Sequence, residues 1–206
     1  ALELSLVNVP ALNGKVVVCP DVSGSMSSPV TGYRQGATTA VRCIDVAALV
    51  AAAILRKQPQ AQVLPFENKV VKVSLNPRDS VMSNAQKLAA IGGGGTSCSA
   101  PLKQLADTGA KVDTLILVSD NESWIDARRH GATETLRQWE RIKQFNPQAR
   151  LICIDLQPYG TTQAADRADI LNVGGFSDAV FDVLAQFASG TFGAGHWVDA
   201  IEKMEL

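Results

Sequence analysis

The sequence predicts a Rossmann-like α/β domain with a doubly wound, mainly parallel six-stranded sheet, one antiparallel edge strand and helices on both faces. Short apolar runs of strand length alternate with longer helical patterns, which is typical of parallel strands connected by helices. The run TLILVS, Thr114–Ser119, is almost entirely apolar, as expected for a strand covered on both faces. The chain contains no internal repeat and no second-domain linker, so we predict one domain over residues 1–206.

Six segments have the length and composition of strands. The first is bounded by Asn13–Gly14 and by Pro20, which interrupt regular structure on either side. The second and third flank Glu67–Asn68–Lys69 as the arms of a hairpin, and alternating polarity in the later arm indicates a half-exposed edge strand. The predicted strands are Lys15–Cys19, Ala61–Phe66, Val70–Leu75, Thr114–Ser119, Arg150–Leu156 and Ile170–Val173.

Helical patterns fill the intervals between these strands. The longest is alanine-rich and apolar on most faces, so we expect it to be largely buried, and Pro59 ends it. Asp79 or Ser80 supplies a cap for the next helix. The predicted helices are Ala37–Lys57, Ser80–Ala90, Ala100–Thr108, Gly131–Phe145, Asp178–Phe187 and a short tail helix at Ala194–Lys203.

Composition and charge narrow the class of function. Of the 206 residues, 46% are hydrophobic and 19% are charged, as in ordinary soluble globular proteins. The net charge of −1 argues against a domain built mainly to neutralise phosphates, although it is compatible with a local basic patch. The longest apolar run, Val46–Leu55, is about half the length needed to span a bilayer, so we expect no membrane contact.

The cysteines and the first residue add two expectations. The four cysteines show no paired spacing, which predicts reduced, buried thiols in a cytoplasmic protein rather than disulfides or a zinc site. Only His130 and His196 are available as imidazole ligands. Because the chain begins with Ala1 rather than Met, we expect a domain excised from a larger protein.

Polar residues follow two of the predicted strands, where ligands bind in sheets of this kind. The loop CPDVSGSM follows the first strand, and SDNES follows the fourth. A serine hydrolase would need G-x-S-x-G and a later histidine after a strand end, and neither is present. An aspartyl phosphatase would need a second acid where Ser23 stands, and a P-loop would need lysine where Gly95 stands in GGGGTS.

A cation site explains these residues together. Ser23 and Ser25 can point the same way from an extended loop, and a glycine-rich loop can present a third hydroxyl without steric hindrance. All of the donors are hard oxygens, which suit magnesium or manganese and do not suit zinc or copper. Each residue alone is as typical of a turn or a cap, but their joint placement favours a metal site. The predicted ligands are Asp21, Ser23, Ser25, Thr96 and Asp120.

The pattern D-V-S-G-S, a distant Gly95–Thr96 and an aspartate that ends a later strand resemble the metal-ion-dependent adhesion site (MIDAS) of von Willebrand factor A (vWA) domains. The stretches GGTSCSAPL, VSDNESW and GGFSDAVFDVLAQF resemble the C-terminal A domain of the Ro autoantigen (TROVE) family, including its bacterial members. The resemblance covers nearly the whole chain.

This resemblance implies a vWA fold and a bound Mg²⁺ or Mn²⁺. It implies direct contacts from Ser23, Ser25 and often Thr96, with Asp21 and Asp120 acting directly or through water. An open coordination position would accept a carboxylate from a protein partner. In that family an N-terminal ring of helical repeats carries most of the binding to Y RNA and misfolded non-coding RNA, so RNA is expected as a partner of the parent protein. Asn121 and Glu122 would shape the rim of the site, or belong to a solvated loop.

Three classes of function therefore compete. The first is a non-enzymatic, cation-dependent binding module, monomeric as an isolated domain. The second is direct RNA contact through a basic helical region near Trp124 and Trp139. The alternative interpretation of that region is a solvated helix face with a packed tryptophan. The third is a metal-dependent hydrolase with Glu122 as its base. The candidate RNA-contacting residues are Arg128, Arg129, Arg137, Arg141 and Lys143.

Overall fold

The strands of the computed structural model form one parallel sheet in the order β2-β1-β3-β4-β5. The structure describes residues 9, 11–32, 39–120, 134–157, 167–176 and 179–190. The strands are β1 (Val16–Pro20), β2 (Gln62–Val63), β3 (Thr114–Ser119), β4 (Arg150–Asp155) and β5 (Ile170–Gly174). The helices are α1 (Cys43–Lys57), α2 (Val81–Ala89), α3 (Ser99–Asp107), α4 (Glu134–Phe145) and α5 (Ala179–Ser189), with a 3₁₀ turn at Ser25–Ser27.

The order of the strands reverses between β1 and β3. The chain adds β2 on one side of β1, then returns to add β3 on the other side and continues outward through β4 and β5. Every pairing is parallel, so all strands end at the same edge of the sheet. The register pairs Pro20 with Val118, and Ser119 with Asp155. The loops that leave β1 and β3 therefore start side by side at the switch point of a doubly wound sheet.

Both faces of the sheet are covered, which explains the continuous apolar strands. Side chains at alternating positions point to opposite faces, so Val16 and Val18 of β1 pack in a cluster with α1, α2 and α5. Val17 and Cys19 pack in a second cluster with α3 and α4. All six residues of β3 are buried. The prediction of a helix-covered, mainly parallel α/β sheet is confirmed.

The predicted sixth strand, antiparallel at the edge, is not formed: the described residues form five strands, all parallel. Residues 70–75 make a single antiparallel bridge, Phe66 to Val70, and then leave the sheet. Val71, Val73 and Leu75 instead pack, partly buried, against the α1 and α2 side of the core. An alternating sequence pattern indicates only that alternate side chains are buried. Packing against a layer of helices produces this pattern, and so does pairing in a sheet.

The long first helix begins later than predicted. Arg42 is extended, and its backbone N–H and its guanidinium both donate to the Asp45 carboxylate, so the helix starts at Cys43 rather than at Ala37. As expected, its alanines are buried, among them Ala47 and Ala51. The remaining shared helices and strands match the predictions to within a few residues. The predicted tail helix, Ala194–Lys203, lies outside the described residues.

All four cysteines are described and buried, and none forms a disulfide, as predicted. Across the described ranges, no helix is long and apolar enough to cross a membrane. The cysteine side chains fill the core. Cys19 and Cys153 lie on the central strands, where burial raises the pKa of both thiols and keeps them protonated.

We expect the backbone amides of residues 72–75 to exchange with solvent much faster than those of residues 115–118. No described backbone hydrogen bond is donated by residues 72–75, whereas the amides of β3 lie in the parallel ladder. Native-state hydrogen exchange followed by mass spectrometry or NMR measures the difference. Protection of residues 72–75 comparable to that of β3 would show that the sixth strand does form.

Candidate metal centre

Two loops meet at the switch point of the sheet. The loop after β1 begins with Asp21, whose backbone N–H donates to the carbonyl of Val118 over 2.9 Å. The loop after β3 begins with Asp120, which is 1% exposed. Parallel pairing of β1 with β3 thus brings together two carboxylates that are 99 positions apart in the sequence.

Asp21 is fully buried and holds the first loop in place. One carboxylate oxygen, Oδ1, accepts a 2.9 Å hydrogen bond from the backbone N–H of Ser23, which turns the chain back over the strand end. The other, Oδ2, accepts a 2.8 Å hydrogen bond from the hydroxyl of Ser119. Ser119 was not among the predicted site residues. A hydroxyl that ends an otherwise apolar buried strand is the sequence signal that would have identified it.

Burial raises the pKa of Asp21 to about 6, and the negative charge of Asp120 adds to this effect. Hydrogen bonds from Ser23 and Ser119 oppose it, because they stabilise the charged form. Two buried carboxylates thus lie near enough to repel each other, and a bound cation would relieve that repulsion.

Three hydroxyl groups lie next to each other above Asp21. Ser23 is fully buried, and Ser25 and Thr96 are half-buried. The Oγ atoms of Ser23 and Ser25 are 3.2 Å apart, and the Thr96 hydroxyl donates to Ser23 Oγ over 2.7 Å. The predicted convergence of Asp21, Ser23, Ser25 and Thr96, drawn from two distant loops, is present in the structure.

Backbone contacts hold the glycine loop that carries Thr96. Gly93 donates to the carbonyl of Val22 over 3.2 Å, and Gly24 donates to the carbonyl of Gly94 over 3.1 Å. Gly94 has φ +70°, and a Cβ there would lie 2.2 Å from the carboxylate of Glu67. Because φ is positive and Glu67 would have to move aside, a side chain at this position would strain the loop that carries Thr96.

A carboxylate that the sequence analysis overlooked lies at the end of β4. Asp155 is largely buried, and burial together with the charge of Asp120 raises its pKa to about 6. The backbone N–H of Gln157 donates to Asp155 Oδ1 over 3.1 Å. The rule that predicted Asp21 and Asp120, an acid where a buried strand ends, also selects Asp155.

The side chain of Gln157 fastens the far end of the first loop. Its amide nitrogen donates to the carbonyl of Pro29 over 2.6 Å and to the hydroxyl of Ser28 over 3.2 Å. The loop that carries Ser23 and Ser25 is therefore held at its start by Ser119 of β3 and at its end by Gln157 after β4. No sequence pattern indicates this contact, because it joins residues about 130 positions apart.

The donor set fits a small, hard divalent cation. Adjacent ligands on an octahedron with metal–oxygen distances of about 2.0–2.1 Å are separated by about 2.9 Å, and the two hydroxyl separations, 3.2 and 2.7 Å, bracket that value. Among the described residues no three His, Cys, Asp or Glu side chains converge as a metal-binding group. Hydroxyls joined by two carboxylates suit Mg²⁺ or Mn²⁺.

The other predicted site residues are distributed differently. Asn121, Glu122, Arg128 and Arg129 lie outside the described residues. Arg137 is exposed and lies 3.6 Å from Glu134 on its own helix. Arg141 forms a 2.7 Å ion pair with Asp107 of α3.

Lys143 and Trp139 attach α4 to the segments on either side of β4. Lys143 donates to the carbonyl of Ala149 over 2.9 Å and lies 3.5 Å from Asp169. Trp139 is fully buried, and its indole N–H donates to Asp169 over 3.0 Å. Trp139 is therefore a packed core residue and offers no face on which a base could stack.

A doubly wound parallel sheet with hydroxyl and carboxylate loops at its switch point defines the class as a vWA domain. The family model described as the Ro60 vWA domain matches residues 15–188. Because this match covers most of the chain, the chain belongs to the Ro60 vWA domain family.

Two curated relatives carry the name RNA-binding protein RO60. The one from Deinococcus radiodurans is 29% identical over 190 residues, a match that covers 92% of this chain and 34% of the relative. The one from Caenorhabditis elegans is 22% identical over 193 residues, covering 90% of this chain and 28% of the relative. This chain therefore spans about a third of the length of the relatives it matches.

A crystal structure of the Deinococcus radiodurans RO (RSR) protein is similar in fold. The TM-score is 0.72 at 27% sequence identity, and the match covers 92% of this chain and 37% of that chain. The similarity extends over nearly all of the chain.

We expect Asp21→Asn to stabilise the metal-free protein at neutral pH. Because the pKa of Asp21 is raised from 3.8 to about 6 in the folded state, the folded state binds a proton more tightly than the unfolded chain. The free energy of unfolding should fall as pH rises through this interval, by at most about 3 kcal/mol from this group. An asparagine keeps the acceptor for Ser23 and should lessen the fall.

Urea unfolding in the presence of a chelator, at several pH values between about 4 and 7, measures this effect. Asp182→Asn, which removes an exposed carboxylate on α5, is the matched control. An Asp21→Asn variant with the same pH dependence as the wild type would contradict the assignment of the buried charge.

Proposed function

We propose that this chain is a non-enzymatic binding domain that holds a divalent cation, Mg²⁺ or Mn²⁺, and uses it to bind an acidic group of a protein partner. The observation that supports this most directly is a group of three hydroxyls beside the buried carboxylates of Asp21 and Asp120. Ser23 Oγ lies 2.7 Å from the hydroxyl oxygen of Thr96 and 3.2 Å from that of Ser25. The residues that would hold the ion are Ser23, Ser25, Thr96, Asp21 and Asp120.

When bound, the ion supplies a compact positive centre that attracts an anionic ligand. The two carboxylates proposed as ligands, Asp21 and Asp120, together match the charge of a divalent ion. Ser119 and Gln157 hold the loop in place before the ion arrives, which lessens the ordering cost of binding. Ser25 and Thr96 are partly exposed, so the ion would face solvent on their side.

The parent protein is proposed to be an RNA-binding protein of the Ro type. Both curated relatives are named as RNA-binding proteins, and this chain spans about a third of their length. We propose that Y RNA and misfolded non-coding RNA bind mainly through other parts of such a parent, in the cytoplasm, and that the isolated domain is a monomer. The domain described here would contribute a cation-dependent protein contact.

Catalysis is the less favoured alternative. A hydrolase would need a base beside the ion, and the candidate Glu122 and both histidines lie outside the described residues. Metal-dependent cleavage of a phosphoester, lost on Glu122→Gln, would favour an enzyme over the binding domain.

Replacing Ser23 and Ser25 together by alanine should weaken Mg²⁺ binding at least about a hundredfold, since two oxygen ligands are removed at once. Isothermal titration calorimetry with Mg²⁺ alone measures this. Ser27→Ala is the matched control, because Ser27 lies in the same turn with its side chain exposed. Unchanged Mg²⁺ binding in the Ser23→Ala/Ser25→Ala variant, with the fold verified by thermal unfolding, would refute the metal site.

Direct RNA contact by α4 is the second candidate, and the names of the relatives favour it. The ion pair of Arg141 and the backbone contact of Lys143 leave Arg137 as the most exposed of the described cations on that helix. We therefore expect weak binding of a fluorescent single-stranded RNA, and little change on Arg137→Ala. A steep loss of affinity with salt, reduced by Arg137→Ala, would favour RNA contact by α4 instead.

A further inference from the structure

A polar groove runs from the metal loop along α3. It has a volume of about 420 Å³ and lies between the turn at residues 67–70 and the helix. Its floor includes Val70 and Ala100. Its polar lining contains two lysines, Lys69 and Lys103, one carboxylate, Asp107, and five amide or hydroxyl side chains, those of Asn68, Ser97, Ser99, Gln104 and Thr108.

The groove is continuous with the candidate metal centre. Ser97 directly follows Thr96, and its backbone N–H donates to the carbonyl of Glu67 over 3.0 Å, which joins the glycine loop to the turn. At Gly95 a Cβ would lie 2.6 Å from Asn68 Oδ1, so the turn and the glycine loop are in close contact. A peptide held at the metal centre on this side would therefore reach the groove within one or two residues.

The groove is long enough for a short extended peptide. It is lined from Ser97 to Thr108, along the whole of α3. A helix of this length spans about 13 Å, which corresponds to about four residues of extended chain.

The charge of the groove is positive. Lys103 and Arg141 both pair with Asp107, so one carboxylate is shared by two cations. Lys69 is exposed, and among the described ion pairs it has no acidic partner. The lining itself carries two cations, Lys69 and Lys103, and one carboxylate, Asp107, so its net charge is positive.

We propose that this groove binds an extended acidic peptide whose first acidic side chain ligates the ion and whose following residues lie along α3. This proposal rests on the proposed function, because the ion would anchor one end of the peptide. Lys69 and Lys103 would attract a second acidic group. The amides of Asn68 and Gln104 are suited to the peptide backbone. The lining contains no aromatic side chain, whereas single-stranded nucleic acids are usually held by stacking on aromatic rings.

The test uses a fluorescein-labelled hexaglutamate peptide, with binding followed by fluorescence anisotropy at saturating Mg²⁺. Lys69→Glu/Lys103→Glu should weaken binding about tenfold or more, because two weak attractions become repulsions. Lys72→Glu/Lys87→Glu makes the same change in net charge at exposed lysines outside the groove. This control should weaken binding less than about threefold, since distant exposed charges are screened.

Two further measurements separate this proposal from the metal site. Mg²⁺ binding by calorimetry should be nearly equal in both lysine variants and the wild type, and the peptide should not bind to Ser23→Ala/Ser25→Ala. The groove proposal is wrong, and the metal site stands, if the wild type binds Mg²⁺ but not the peptide. The same holds if the two lysine variants weaken peptide binding equally.

If the wild type does not bind Mg²⁺, the proposed function is wrong, and the proposal of a metal-anchored peptide fails with it. A single-stranded oligouridylate of equal charge provides the last comparison. Tighter binding of that RNA than of the peptide, sensitive to Lys69→Glu/Lys103→Glu, would overturn the proposal in favour of a nucleic-acid groove.

Discussion

The buried carboxylate of Asp21 is the constraint on which the candidate site depends. Removing an ionised carboxylate from water is costly unless hydrogen bonds or an opposite charge compensate it. The two partners of Asp21, the Ser23 backbone and the Ser119 hydroxyl, supply part of that compensation and at the same time fix the direction of the loop. A bound cation would supply the rest, which couples the stability of the loop to occupation of the site.

The parallel register of the sheet makes this arrangement available. With Pro20 beside Val118, Ser119 ends its strand within reach of the first residue after β1. A shift by one residue would turn the Ser119 side chain to the other face of the sheet, because successive side chains alternate. The apolar clusters on both faces oppose such a shift, since they would have to exchange places. The core therefore determines the geometry of a site to which it contributes no ligand.

Local patterns were sufficient to predict much of the fold and part of the site, for physical reasons that particular residues illustrate. Thr114–Ser119 is buried on both faces, so its composition alone identifies a strand. Asp21 and Asp120 follow such strands, and topology then places them at one edge. Residues 70–75 show the limit, because alternate burial against helices has the same sequence pattern as strand pairing. Gln157 shows another, because its contact with Pro29 depends on the packing of distant segments.

The positions of the charged residues also separate the two kinds of binding proposed for a Ro-type parent. The candidate metal centre lies where the strands end, whereas Lys143 and Trp139 meet Asp169, directly before β5 begins. In a parallel sheet those are opposite edges. Lys143 and Arg141 hold α4 to its neighbours, so binding a ligand through them would compete with these contacts. The groove beside α3 begins at the metal edge and carries cations that are more exposed. A ligand held at the proposed metal centre would therefore lie close to Lys69 and Lys103 and at the opposite edge of the sheet from Lys143.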